Sequence, residues 1–161
     1  LPALLALALA IGALFDRRWR HAFFTAMVGV LAAWLIVQAI RWAFPMPRPA
    51  YYGLGIQWVP QGIRPGFPSL HAAGAFTAAF SLWCLPWRSP MLAALAVAAT
   101  VAWSRLYLGL HFPSDVVAAA MLGALVSILA ERGIRLMSRT RPSPASARAP
   151  GVRLRSRTRR A

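Results

Sequence analysis

Seven side chains stand out because their types and spacing fit one chemistry. His111 and Asp115 are four apart, about one helical turn, so the carboxylate can reach back to an imidazole nitrogen. That contact would fix the imidazole tautomer and make the other ring nitrogen a better nucleophile. His71, two residues after Ser69, offers a second imidazole as a proton donor. Arg41, Arg48 and Arg105 supply three guanidinium groups, each able to hold two phosphate oxygens at once. A nucleophile, an orienting acid, a proton donor and an arginine cage together suit phosphoryl transfer. The plainer reading of His111 and Asp115 is a structural pair closing a helix end.

These residues have to be positioned by a very apolar chain. Of 161 residues, 59% are hydrophobic, too many for an ordinary soluble domain. They fall in blocks at 1–15, 22–40, 69–87, 90–104 and 113–130, where a membrane-crossing helix needs roughly 20 apolar residues. The expected fold is therefore an all-α, polytopic transmembrane helical bundle with about five spans. The chain opens on Leu1, inside an apolar run, and a further N-terminal span in a longer protein is expected, giving six. No basic segment precedes the first block, so it does not read as a signal peptide.

The formal net charge of +15 comes from 18 basic residues, all of them arginine. If the 16–21 loop is cytoplasmic, alternation of spans puts the turn at Arg88 and the tail on the same side, and fourteen of the eighteen arginines with them. Basic charge placed this way argues for the positive-inside rule and against a nucleic-acid partner. Trp42 and Trp103 near the outer ends, with Trp19 and Trp87 near the inner ends, would form aromatic belts. His21 reads as an interfacial residue, and Arg64 as a lipid-facing anchor.

The same topology gathers the seven residues at one membrane face. Arg41 and Arg48 flank the exit of the second block, Ser69 and His71 open the third, and Arg105, His111 and Asp115 bracket the entry to the fifth. Pro68 and Pro113 suit first helical turns, and the helix starts they mark would present free amides to an anion. A two-metal centre is hard to build, because the only acids are Asp16, Asp115 and Glu131, two of them on the cytoplasmic side. The single cysteine, Cys84, reads as a buried small residue. No metal and no cofactor are expected. The Pro-, Gly- and aromatic-rich stretch 45–66 reads as an ordered outer loop that could form a lip over the site. Residues 138–161, arginine-rich and without apolar period, read as a disordered cytoplasmic tail attracted to anionic lipid.

In order and spacing these residues resemble the three signature motifs of the type 2 phosphatidic acid phosphatase superfamily. Arg41 to Pro49 matches Lys, six residues, Arg-Pro; Pro68-Ser69-Leu70-His71 matches Pro-Ser-Gly-His; Ser104, Arg105, His111 and Asp115 match Ser-Arg, five residues, His, three residues, Asp. The resemblance covers about residues 22–130. Two positions depart from it. Arg41 stands for lysine, which keeps the charge but changes its reach, and Leu70 stands for glycine, which places bulk beside the phosphate.

The resemblance implies that His111 attacks phosphorus to form a phosphohistidine, Asp115 orients it, and His71 protonates the leaving oxygen. Arg41, Arg48, Ser69 and Arg105 would bind the phosphate. It further implies a transmembrane phosphatase domain over 1–137 in a bacterial inner membrane, multi-pass, with the site facing the periplasm. The substrate would be a lipid phosphate or pyrophosphate among the membrane lipids, with undecaprenyl pyrophosphate favoured by the Pro47-Arg48-Pro49 stretch and the loop after it. The alternatives are a lipid phosphotransferase of the same family and a non-catalytic lipid-binding membrane protein; haloperoxidase activity ranks last.

Overall fold

Caps and prolines decide where each apolar block becomes a helix. In the computed structural model, which describes residues 16–56, 58–61 and 64–139 together with residues 7, 10, 11 and 14, the elements are α1 (Arg17–Ala43), α2 (Leu70–Phe80), α3 (Ser89–Tyr107) and α4 (Pro113–Arg139). Single 3-10 turns lie at Pro49–Tyr52 and Ser81–Cys84, and regular structure among the described residues is helical throughout. Asp16 caps α1 by accepting a hydrogen bond from the Arg18 N–H at 3.2 Å. Pro90 and Pro113 occupy first turns of α3 and α4, where a missing N–H costs nothing. Pro68 does not do so for α2, contrary to the sequence reading. It precedes the N-cap Ser69, whose N–H is engaged by the carbonyl of Asp115 at 3.2 Å.

Three helices are long and apolar enough to cross a membrane: Arg17–Ala43, Ser89–Tyr107 and Pro113–Ser138. The 69–87 block, expected as a full span, gives α2 and one 3-10 turn only. Leu85 is extended, as a residue before proline tends to be, and ends the run at Pro86. At about 1.5 Å per α residue and 2.0 Å per 3-10 residue, the pair reaches roughly 25 Å, short of the ~30 Å hydrocarbon layer. The 1–15 block, apart from the isolated residues named above, lies outside the described residues. Helix α4 continues to Arg139, two residues into the segment assigned to the tail; residues 140–161 lie outside the described residues. The described residues thus carry three membrane-length helices against five blocks in the sequence.

Short α2 is the element the others surround: it packs on α1, α3 and α4, and α1 also meets α4. The contacts use small residues, which let backbones approach where no hydrophobic effect drives helices together. Ala26, Ala33, Ala72, Ala73, Ala79, Ala98 and Ala119 are all buried. Their large neighbours, among them Leu31, Leu35, Met121, Leu125 and Leu129, are exposed on the bundle's outside, as a lipid-facing surface requires. Three buried hydroxyls bond to carbonyls three or four residues back along the chain: Thr77 Oγ1 donates to Ala73 O, Ser81 Oγ to Thr77 O, and Ser127 Oγ to Ala124 O. At the end of the bundle away from the seven residues, the buried Glu131 of α4 accepts from Thr25 of α1 at 3.0 Å and from Arg135, and pairs with His21 of α1 at 2.7 Å.

Two glycines mark the tightest seams. A Cβ on Gly29 would lie 2.8 Å from Thr77 Cγ2, and one on Gly123 would lie 2.8 Å from Thr77 N and 2.9 Å from Phe76 Cβ. Gly123→Val should therefore force α2 and α4 apart and cost about 1–3 kcal/mol. Gly133→Ala, where nothing lies within 4 Å of the added carbon, should be neutral or stabilise by up to about 1 kcal/mol. Thermal unfolding of the two variants in detergent checks this, with a lowered midpoint expected for Gly123→Val alone.

Candidate active site

Helix ends bring the chemistry together. Helix α3 closes on a Schellman motif: Gly109 at φ 66° donates its N–H to Leu106 O, and the Leu110 N–H returns to Arg105 O. A Cβ on Gly109 would lie 2.9 Å from Ile56 O, so the position needs glycine for space as well as for its backbone. This turn reverses the chain within a few residues and delivers His111 just before α4 starts at Pro113.

Asp115 then sets the histidine. Its Oδ2 accepts from the Phe112 N–H at 2.9 Å, as the acid of a capping box does, and lies 3.3 Å from His111 Nδ1. A carboxylate can only accept, so Nδ1 carries the hydrogen and Nε2 keeps its lone pair. Both side chains are buried, His111 6% and Asp115 4% exposed. His71, in the first turn of α2, is exposed by contrast, and within electrostatic range of His111, Arg105, Arg41 and Arg48.

The three arginines arrive from different segments. Arg41, in the last turn of α1, donates from a terminal nitrogen to Pro68 O at 2.9 Å, and so ties α1 to the start of α2. Arg48 lies in the loop that follows, held where Gly66 donates its N–H to Met46 O. A Cβ on Gly66 would come 3.0 Å from Arg48 Cγ, so that glycine makes room for the arginine stem. Arg105 is in the last turn of α3. Burial first, and then the nearby charge of Arg64, draw the Arg48 guanidinium below the usual arginine range, while Asp115 acts the other way.

All seven residues singled out by sequence thus meet at one end of the bundle. Nε of Arg41, Arg48 and Arg105 and Oγ of Ser69 are buried without a hydrogen-bond partner among the described residues. A buried donor left unpaired is costly, and an oxyanion bound at this end of the bundle could satisfy such donors. The hydroxyl of Ser104 is turned elsewhere, donating to Val101 O at 2.7 Å.

The sequence reading missed other contributors. Arg64, taken for a lipid anchor, lies within electrostatic range of Arg48 and lines a cavity with it; its place on the arginine-poor face was the available signal. Gln61 donates from Nε2 to Gly109 O at 3.0 Å, pinning the loop between α1 and α2 to the turn before His111. His21 is no idle interfacial residue, since it pairs with a carboxylate 110 positions away. A trio with the residue types of a metal site also lies among the described residues: His21, Cys84 and Glu131 have potential ligand atoms within 4.8 Å of one another. It lies sixteen residues along α4 from Asp115, about 24 Å at the helical rise. Glu131 is already bonded to Thr25, His21 and Arg135.

The model of the PAP2 superfamily matches residues 22–138. YbjG of Escherichia coli (strain K12), whose name gives it as a proposed undecaprenyl-diphosphatase, is 34% identical over 90 residues, covering 55% of this chain and 44% of the relative. A protein of Bacteroides thetaiotaomicron named lipid A 4'-phosphatase is 50% identical over 60 residues, 36% of this chain and 26% of the relative. The chain therefore spans less than half the length of either relative. No solved structure matches it. With the family match running from α1 to the end of α4, through every residue of the cluster, the chain belongs to the PAP2 superfamily.

Proposed function

We propose that this chain is a membrane lipid phosphatase that hydrolyses a lipid phosphate or diphosphate through a phosphohistidine on His111. The observation that carries this reading is the burial of a His–Asp pair at the same end of the bundle as three arginines whose Nε donors have no hydrogen-bond partner among the described residues. His111 Nε2 attacks phosphorus, the bond to the leaving oxygen breaks, and His71 supplies the proton that oxygen needs. Asp115 keeps the ring in the attacking tautomer and stabilises the cation that forms. Arg41, Arg48, Arg105 and Ser69 hold the phosphoryl oxygens as charge moves onto them. Water then attacks the phosphohistidine, with His71 taking back the proton by microscopic reversibility.

The chemistry needs no metal on this account, because the arginines do the work of a cation. Asp115 is the one carboxylate in the cluster, and its contacts go to His111 and Phe112. Undecaprenyl diphosphate is the first lipid to try, on the strength of the Pro47-Arg48-Pro49 stretch and the name of the E. coli relative. The site is taken to face the periplasm across a bacterial inner membrane, since arginine is scarce at the ends where it lies.

Phosphate release from undecaprenyl diphosphate in detergent should survive excess EDTA and disappear in His111→Ala. Loss of release on adding EDTA would rule out the metal-free route, and appearance of phosphate only with an acceptor lipid would make the chain a phosphotransferase. Asp115→Asn keeps an oxygen for the Phe112 N–H, so its unfolding midpoint should stay close to wild type, within about 1 kcal/mol. Its turnover should nonetheless fall roughly 10²- to 10⁴-fold, because the amide cannot stabilise an imidazolium.

Sidedness has its own test. In a Cys84→Ser background, Tyr51→Cys should react with an impermeant maleimide added to intact spheroplasts, and Arg88→Cys should react only after lysis. The reverse pattern would put the site in the cytoplasm.

A further inference from the structure

The outer loop holds a charge that the phosphoryl cage does not use. Arg64 is exposed and lies close enough to Arg48 for the two cations to repel. Among the described residues no carboxylate forms an ion pair with either. Asp115 offsets part of the charge on Arg48, and an anion between the two guanidinium groups would relieve their remaining repulsion.

The space for that anion is present. An open cavity of about 690 Å³ is lined by Arg48, Arg64, Gln61, Tyr51 and Tyr52, with prolines completing its wall. Its volume lies within the range of small-molecule sites, roughly 300–1,000 Å³, and exceeds what one phosphate fills. Arg48 belongs to both regions: it lines the cavity and lies within electrostatic range of Asp115 and Arg41 as well as of Arg64. The wall is braced, because Gln61 is bonded to Gly109 O, Gly66 to Met46 O, and the Tyr52 ring lies 6.4 Å from that of Phe112, next to His111.

We infer that Arg64 and Arg48 form a subsite for a second phosphate, which makes a diphosphate headgroup the preferred substrate class. The inference rests on the phosphatase reading of the neighbouring cluster. The terminal phosphoryl sits at His111 and the inner phosphate in the cavity. As the bond from phosphorus to His111 Nε2 forms, the bridging P–O bond breaks, and its electron pair departs with the lipid monophosphate. Arg64 is placed to stabilise that departing charge. A monophosphate leaves the cavity's cation unused, and this is where discrimination between the two headgroups arises.

Binding to the full chain in detergent, followed by calorimetry, separates the subsite from turnover. The probes are methylenediphosphonate, which cannot be hydrolysed at its bridge, and inorganic phosphate. Wild type should prefer the diphosphonate, and Arg64→Gln should cut that preference about tenfold, the worth of one charge-assisted contact. Arg64→Lys should cut it less, and Arg88→Gln, which removes a charge at the other end of the bundle, should leave it at the wild-type value. No preference in wild type, or a preference indifferent to Arg64, overturns the inference. Turnover of farnesyl diphosphate is measured in parallel. An Arg64-dependent preference without turnover keeps the subsite and removes the hydrolase reading; turnover with an indifferent preference does the opposite.

Discussion

Asp115 is the residue on which the rest of the site depends. Its carboxylate accepts from the Phe112 N–H and faces His111 Nδ1, while its backbone carbonyl accepts from Ser69 at the start of α2. One residue therefore closes the start of α4, chooses the tautomer of His111 and fixes the neighbouring helix end. A helix-closing role and the proposed activation of His111 are compatible, because the same Asp115 oxygen contacts both the Phe112 N–H and His111 Nδ1. That economy suits a chain with three acids in 161 residues and three helices apolar enough to cross a membrane, where each further charge is expensive.

Precision at that end requires a bundle that does not slide. With alanines and glycines at the contacts, the backbones of α1 and α4 come directly against α2, and Thr77 touches both seams through the positions of Gly29 and Gly123. Glu131 closes the far end by joining α1 to α4 through Thr25 and His21. Buried polar groups thus lie at both ends of the bundle, one set around His111 and Asp115 and the other joining α1 to α4. Such a buried network favours one register when every partner is present, and costs stability when one is missing.

Much of the site was legible in the sequence. The i,i+4 spacing of His111 and Asp115 and the alternation of apolar blocks were enough to put Arg41, Arg48, Ser69, His71 and Arg105 at one face, and the structure brings them together there. Less could be read where geometry depends on partners remote in sequence. The pairing of His21 with Glu131 has no local signature, and Arg64 looks like any arginine near a span end until the loop folds back on Arg48. Composition also could not tell that the 69–87 block would make a short helix, since it is apolar throughout and its length is set by the turn at Ser81–Cys84 and by Pro86. Pro68 was misplaced by one residue for a related reason: the N-cap belongs to Ser69, whose N–H is held by Asp115.

The central claim is that phosphorus becomes covalently attached to His111. Rapid acid-free quenching of the wild-type chain turning over ³²P-labelled lipid diphosphate, followed by peptide mapping, tests it directly. The account predicts label that is stable in alkali, labile in acid and confined to the peptide carrying His111, accumulating within the first turnover. Label on another residue, or steady phosphate release with no labelled protein at any time, would contradict it.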